Sequence, residues 1–411
     1  MKKIPAVIFL LTLSAFPNLF AGLDYYHLNP AYINSPDPPV NRLRYLSINT
    51  DITNNSLKIS DYNTHFNIDP IWEHSQKTTI FNLIPENGFQ LNTDLNISPV
   101  QFYSNLFNIS IYAQHFANTN LTKDIFDLAL FGNELNRQYN FQQNQINSIN
   151  YLGAALGVNY PIIRNTETFD NDSPIDFLKQ LNIGGRFHYQ KGMLVTQTDS
   201  SDGFVLTTPD AFLASVTMVQ TFAQNANCFA FDIGAAAALP YNLTAGIALL
   251  NLNTGFNWQY PEARLFDIKI DSFSLGRLIE FESIDSFVLS VDSSYLIPSF
   301  KTSIPAQVLL RTTYQPIPLI RLALSYHQYL RPSRFINNFS RSINFNITLN
   351  PVWFFQTAIS VTSDLKKNYR IGHSFDFMLE KYGVTLSADQ HNGLFTNATG
   401  FNLGLSFFRK W

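Results

Sequence analysis

The sequence predicts an all-β fold, an antiparallel β-barrel of about 14 strands (roughly 12 to 16) that crosses a membrane with its strands. Three observations carry that prediction. Large apolar and small polar residues alternate through run after run, most regularly in Ile343-Asn344-Phe345-Asn346-Ile347-Thr348-Leu349-Asn350 and Phe401-Asn402-Leu403-Gly404-Leu405-Ser406-Phe407. Period two is the signature of a strand with one apolar and one polar face. Many runs are about ten residues long, the length a tilted strand needs to cross a bilayer, whereas the strands of two-sheet sandwiches average about five to six. The face opposite the large apolar residues is filled with Asn, Ser, Thr, Gly and Gln, as a watery lumen requires.

Composition agrees and removes other classes. Of 411 residues, 45% are hydrophobic, 15% aromatic and only 14% charged, with a formal net charge of -3. Soluble domains carry roughly 25% charged residues, so the polar surface here is amide and hydroxyl rather than ionic. So many aromatics with so little charge exclude a disordered chain. The near-zero net charge offers nothing to attract nucleic acid. Cys228 is the single cysteine, which excludes an internal disulfide framework and a multi-cysteine zinc site. No run of 18 uninterrupted apolar residues exists beyond the leader, so no helix is expected to span a membrane.

In chain order, residues 1–21 read as a secretory signal peptide: Lys2 and Lys3, an apolar stretch from Ile4 to Leu13, and Leu19-Phe20-Ala21 as the cleavage site. Residues 22–42 form a short N-terminal segment, and residues 43–411 form the barrel. Strand-like runs lie at Arg44–Ile52, Leu91–Ile97, Leu106–Phe116, Ile149–Tyr160, Leu181–Gln190, Phe229–Leu239, Leu243–Leu249, Ala306–Tyr314, Ile320–His327, Ile343–Asn350, Ile371–Glu380 and Phe401–Phe407. Turn-rich pieces separate them at 165–174, Asp199–Gly203, Pro316–Pro318 and 390–400. Thr122 caps a helix running to Phe131 and closed by Gly132, and a second helix spans Trp72–Ile84 before Pro85. With no repeated crossover helix, the sheet is antiparallel.

Enzyme motifs are missing: there is no Gly-x-Ser-x-Gly elbow, P-loop, Gly-x-Gly-x-x-Gly or His-Glu-x-x-His. The eight histidines are scattered, with no i, i+4 pair. Asp170-Asn171-Asp172 and Asp199–Gly203 have a calcium-like composition but lack the twelve-residue loop with its closing Glu. No catalytic, metal or cofactor site is therefore expected. The informative charges are those on lumen parity: Arg186, His188, Asp232, Arg311, Arg321, His327, Asp376 and Glu380. Facing lipid, the cations among them would cost about 2–4 kcal/mol each near the midplane, so they are expected to point inward. There they either line a path for solute or knit an ion-pair network that fills a narrow lumen. Trp258, Trp353, Tyr382 and Trp411 fall near run ends, the place of interfacial aromatic girdles.

Asn29-Pro30-Ala31, close behind the leader, resembles the Asn-Pro-Ala motif in the N-terminal segment of FadL-type outer-membrane proteins. Phe231-Asp232-Ile233-Gly234-Ala235, then Gly246–Leu252 and Gly255-Phe256-Asn257-Trp258, looks like the paired-strand pattern of the PorV/PorQ-like branch. Ile84–Phe89, Thr122–Asn133 and Ile183-Gly184-Gly185-Arg186 are similar to an uncharacterised barrel family of that group, and Ile304-Pro305-Ala306 introducing a strand fits it. The resemblance implies a FadL-like barrel in the outer membrane of a Gram-negative type envelope, with Asn29, Pro30 and Ala31 in a short hatch that plugs the lumen. It also implies a hydrophobic small-molecule ligand that leaves sideways through a gap in the wall. The PorV-like branch implies the alternative, an accessory barrel for protein secretion or envelope assembly; a general porin is a third. The expected partners are outer-membrane lipid and the barrel-assembly machinery, the latter through the final strand ending at Trp411.

Overall fold

The computed structural model describes residues 29–31, 42–65, 72–104, 106–164, 178–273, 288–336 and 339–410. The leader, the 165–174 turn with Asp170-Asn171-Asp172, and Trp411 lie outside the described residues. Eighteen antiparallel segments form one sheet: β1 (Arg42–Asn54), β2 (Phe89–Tyr103), β3 (Phe107–Leu121), β4 (Gln138–Asn140), β5 (Gln145–Arg164), β6 (Gln180–Thr207), β7 (Phe212–Leu239), β8 (Leu243–Asn253), β9 (Phe256–Phe273), β10 (Val288–Leu296), β11 (Phe300–Thr302), β12 (Gln307–Ile317), β13 (Ile320–Tyr329), β14 (Arg341–Val352), β15 (Phe355–Ser363), β16 (Tyr369–Leu379), β17 (Tyr382–His391) and β18 (Gly400–Lys410). Each pairs with its neighbour, and β1 pairs with both β2 and β18, so the sheet closes on itself. β8 and β9 run end to end along β7, and β10, β11 and β12 run end to end along them. Counting each relay once, and β4 as an add-on to β6, gives a closed barrel of 14 strands. Closure removes the free edges that an open sheet of this size would expose.

The alternation does what a membrane barrel needs. Along β5, Leu152, Leu156, Val158, Tyr160 and Ile162 are exposed, while Asn147, Ile149, Tyr151, Ala155 and Asn159 between them are buried. The apolar face is therefore the outside, and lipid is the solvent that such a band requires. The band stops at an outward polar row. His115 Nδ1 lies 2.7 Å from Asn150 Oδ1, and the Tyr189 hydroxyl donates to Asn227 Oδ1 at 2.9 Å. Lys191 pairs across to Asn227, Asn227 to Asn257, and Asn257 to Lys301. At the opposite rim, where Arg42 of β1 pairs with Lys410 of β18, Trp353 and Tyr382 are exposed beside short turns, in the girdle position. Among the described residues no helix is long and apolar enough to cross a membrane.

Among the described residues three α-helices stand at the rim away from Arg42 and Lys410: α1 (Ile59–His65), α2 (His74–Leu83) and α3 (Lys123–Phe131). α3 starts at Thr122 and stops at Gly132, whose φ of 80° ends the helix. α2 begins with a capping box in which Gln76 Oε1 accepts from the Glu73 N–H at 3.0 Å. Phe81 and His74 of α2 meet Phe131 of α3 edge to face, so α2 packs on the neighbouring loop and does not turn into the lumen.

The wall is uneven in height. β6 and β7 have 28 residues each, against 10 to 12 for β13, β14 and β16 to β18. Asp199–Gly203, expected as a turn, lies inside β6, with a register slip between Thr198 and Ser200. Its polar side chains are satisfied within the sheet: Asp199 accepts from Gln197 at 2.7 Å and from Thr221 at 2.5 Å.

Candidate functional site: an apolar chamber behind a break in the wall

Cross-strand register brings the first charged group together. Arg186 of β6 stands opposite Asp232 of β7, and His188 follows on the same face. Asp232 Oδ2 accepts from Arg186 Nε and Nη2 and from His188 Nε2, all at 2.8 Å. The Tyr112 hydroxyl from β3 meets His188 Nδ1 at 3.0 Å and accepts from Gln190 at 3.1 Å. All point inward, as their parity requires, and form a knitted network rather than an open lining. The remaining carboxylate oxygen, Asp232 Oδ1, accepts the backbone N–H of Asn251 at 2.6 Å.

Asn251 marks the point where the wall loses its ladder. Pairing of β8 with β12 ends at Leu250 opposite Gln307, and pairing of β9 with β11 begins at Phe256 opposite Thr302. Residues 251–255 therefore have no ladder partners among residues 303–306 across the seam, while Leu252 and Asn253 stay paired with β7. Local sequence explains the gap. Pro305 has no N–H to donate, Asn251 sits at φ 57° and Gly255 at φ 79°, a conformation open to glycine at little cost. Side chains close the seam instead. Asn251 Nδ2 donates to the carbonyls of Ile304 at 3.0 Å and Pro305 at 3.4 Å, and Asn253 Nδ2 donates to Ile304 at 2.6 Å.

Behind the seam, on the lumen side, lies a closely packed apolar cluster, a chamber filled by its own side chains. Ile149 and Tyr151 of β5, Val195 of β6, Cys228 of β7, and Phe256 and Trp258 of β9 form one buried cluster with Ile304. Tyr151 and Phe256 have ring centroids 5.1 Å apart, and Phe256 stacks on Trp258 at 5.8 Å. Trp258, expected in a girdle, is 5% exposed and points inward, its indole N–H donating to Thr302 Oγ1 at 2.8 Å. It keeps the even-numbered inward parity of Ala248 and Leu250 on β8 and Phe256 on β9, which nearness to a run end does not reveal. Phe335, from the 330–340 loop between β13 and β14, drops into the same cluster at 4% exposure. Next to it Arg334 spans to β6, reaching the Thr198 carbonyl at 3.4 Å and Asp199 Oδ1 at 3.8 Å.

Below the chamber, toward the rim of Arg42 and Lys410, Asn29, Pro30 and Ala31 sit against the inner wall. Asn29 Nδ2 donates to the carbonyls of Ala235 at 3.2 Å and Ile247 at 3.3 Å, and its Oδ1 accepts from the Ala31 N–H at 2.9 Å. Pro30 and Ala31 are fully buried. Three strand glycines make the seat. A Cβ on Gly184 would collide with the Pro30 backbone and one on Gly234 with the Asn29 side chain, and one on Gly246 would lie 3.0 Å from Asn29 Nδ2. Gly184 and Gly234 are register partners on β6 and β7, so the bare patch is continuous across strands.

The other charged residues singled out from sequence fall elsewhere. Arg311 of β12 and Arg321 of β13 lie opposite buried Ser325 and Thr348 on inward positions. His327 is inward too, 2.8 Å from Gln307 Oε1. Asp376 shares the inward parity of buried Gly372 on β16. Glu380 does not line the lumen: it is exposed at φ 52° in the turn between β16 and β17, because alternation ends where the hairpin reverses. A second ion group was not singled out. Arg370 reaches Asp51 and Asp389, each at 3.2 Å, and His391 Nε2 lies 2.9 Å from Asp51. Asp51 between Thr50 and Ile52, and Asp389 in its own alternating run, carry the same parity signal as Asp232. Inward polar residues such as Asn159, Asn182, Thr362 and Asn402 are buried, so the lumen at their level is filled rather than watery. Among the described residues no group of His, Cys, Asp or Glu is arranged to hold a metal ion.

The model of a family of unknown function, DUF5723, matches residues 44–228, which cover most of β1, all of β2 to β6, the first part of β7 and the Arg186–His188 side of the site. No curated protein matches the chain. Solved structures similar to it include the Pseudomonas putida toluene transporter TodX, 9% identical, TM-score 0.47, covering 96% of this chain and 95% of that one. Another is the Ralstonia pickettii toluene transporter TbuX, 9% identical, TM-score 0.45, covering 96% of each. A third is a Pseudomonas aeruginosa FadL homologue, 11% identical, TM-score 0.44, covering 97% of this chain and 95% of that one. The FadL-like expectation and the uncharacterised branch thus both have counterparts among these matches.

Proposed function

We propose that the protein is an outer-membrane channel that binds an apolar or amphipathic solute in the chamber and lets it leave sideways through the seam, without acting as an enzyme. The observation that carries this reading is the juxtaposition: the aromatic and aliphatic cluster lies, through Ile304, against a stretch between β8–β9 and β11–β12 where the backbone ladder is missing. In this reading Asn29–Ala31, seated on the inner wall, closes the route downward, so a solute in the chamber has the wall as its nearest apolar outlet. The leader at residues 1–21 supplies export, lipid surrounds the outward band, and the assembly machinery takes the final strand. A secretion scaffold or a general porin would give the chamber and seam no role.

The test is direct. Barrel reconstituted in liposomes is expected to bind N-phenyl-1-naphthylamine saturably and speed its transfer into the bilayer; a protein that does neither refutes the reading. Phe335 makes the second prediction. Its ring fills the chamber, and burying a phenyl side chain contributes about 1.5–3 kcal/mol that a solute must displace. Phe335→Ala is therefore expected to tighten apparent probe binding about tenfold or more, measured by fluorescence titration. Unchanged or weaker binding would show that the loop does not compete with solute.

A further inference from the structure

Building on that reading of the chamber and seam, we infer that Asn251, Asn253 and Ile304 form a latch, and that solute in the chamber releases it through Ile304. Ile304 belongs to both places. Its side chain is 4% exposed within the apolar cluster, and its carbonyl accepts from both asparagine carboxamides. A solute that displaces the side chain rotates the same residue's carbonyl away from its two donors.

The chemistry of the closure suits a reversible contact. Ladder bonds fix a wall at every second residue on each strand, but Pro305 cannot donate one, and residues 251–255 have no ladder partner across the seam. Carboxamides are terminal groups on rotatable side chains and let go without moving the strand. Asp232 sets the donor side. Its Oδ1 holds the Asn251 N–H at 2.6 Å, and Asn251 keeps the left-handed conformation at φ 57°, which asparagine adopts more readily than most residues. Asp232 is in turn fixed by Arg186 and His188. The anchor is thus rigid and the acceptor is the part that moves.

Two neutral hydrogen bonds bias a closed state by about tenfold to a hundredfold. The experiment combines hydrogen exchange with probe transfer on the full-length protein in liposomes. In the double variant Asn251→Gly, Asn253→Ala, where glycine preserves the positive φ, exchange at residues 303, 304, 306 and 307 is expected to rise at least about tenfold. β13 to β18 should keep wild-type exchange, and probe should pass into the bilayer correspondingly faster. In the wild type, saturating N-phenyl-1-naphthylamine should also accelerate exchange at 303–307, and Ile304→Ala should abolish that response at saturating probe. Unchanged exchange in the double variant overturns the latch. Unchanged exchange in a wild type that does bind probe overturns release through Ile304. A wild type that binds no probe sinks the proposed function, and the release step falls with it, whereas the double variant alone decides whether the two asparagines hold the seam.

Discussion

Asp232→Leu is expected to destabilise the barrel by about 3–5 kcal/mol, the usual penalty for removing one partner from a buried charged group. One carboxylate accepts from Arg186, His188 and the Asn251 N–H, and its side chain is 4% exposed. Leucine removes all four of those bonds and leaves an arginine facing an apolar neighbour. Asp232→Asn keeps an oxygen for Asn251 and should lose roughly half as much, since a neutral acceptor binds cations less strongly. Arg186→Leu combined with Asp232→Leu should recover part of the loss, because an apolar pair of similar volume is often tolerated where a lone buried charge is not. Urea unfolding of the reconstituted barrel, followed by heat-modifiable electrophoretic mobility, gives the ranking. Equal stability of wild type and Asp232→Leu would mean that the network contributes nothing to the wall.

Gly184→Val should expel the N-terminal motif while leaving the barrel intact. The new side chain would occupy the space of the Pro30 backbone, and Gly184 sits on β6 in ordinary strand pairing with Gly234, so the strand itself tolerates valine. Asn29 would lose its two bonds to Ala235 and Ile247, and Pro30 and Ala31 their burial. At about 1 kcal/mol per hydrogen bond plus the apolar contacts, docking should weaken by roughly 2–4 kcal/mol, or about 30- to 1,000-fold in population. Limited proteolysis of folded protein would then cut near Asn29 in the variant and not in the wild type, and bilayer conductance should rise. A protected segment in Gly184→Val would show that the glycine seat is not what holds it.

The parts legible in the sequence were those where one physical rule acts alone. Alternation located the twelve runs, because lipid on one side and packed polar groups on the other impose period two. Asp232 and Arg186 were legible because an uncancelled charge in lipid is forbidden. Most of the tall wall was not legible. The upper parts of β6, β7 and β9 stand beyond the apolar band, so both faces tolerate polar residues and Asp199–Gly203 reads as a turn. The chamber was hidden for the opposite reason. Tyr151, Phe256 and Trp258 are apolar on the inward face, where alternation predicts polar groups, and Phe335 comes from a loop with no periodicity. The seam left traces in Asn251, Gly255 and Pro305, but only the register shows that they lie across from one another.

The uneven wall has a use outside transport. From Tyr189 to Thr207, β6 continues for about 60 Å of strand at ~3.3 Å per residue, beyond the end of the lipid band. Its hairpin to β7 closes through Thr208 and Ala211, leaving Pro209 and Asp210 exposed at the tip. In an outer membrane with the termini facing the periplasm, that tip stands as a mast above the cell surface. An epitope spliced between Pro209 and Asp210 would ride on a stem in which β4 and β9 flank the β6–β7 pair, far from the chamber and seam, and would report on intact cells whether the barrel has been inserted.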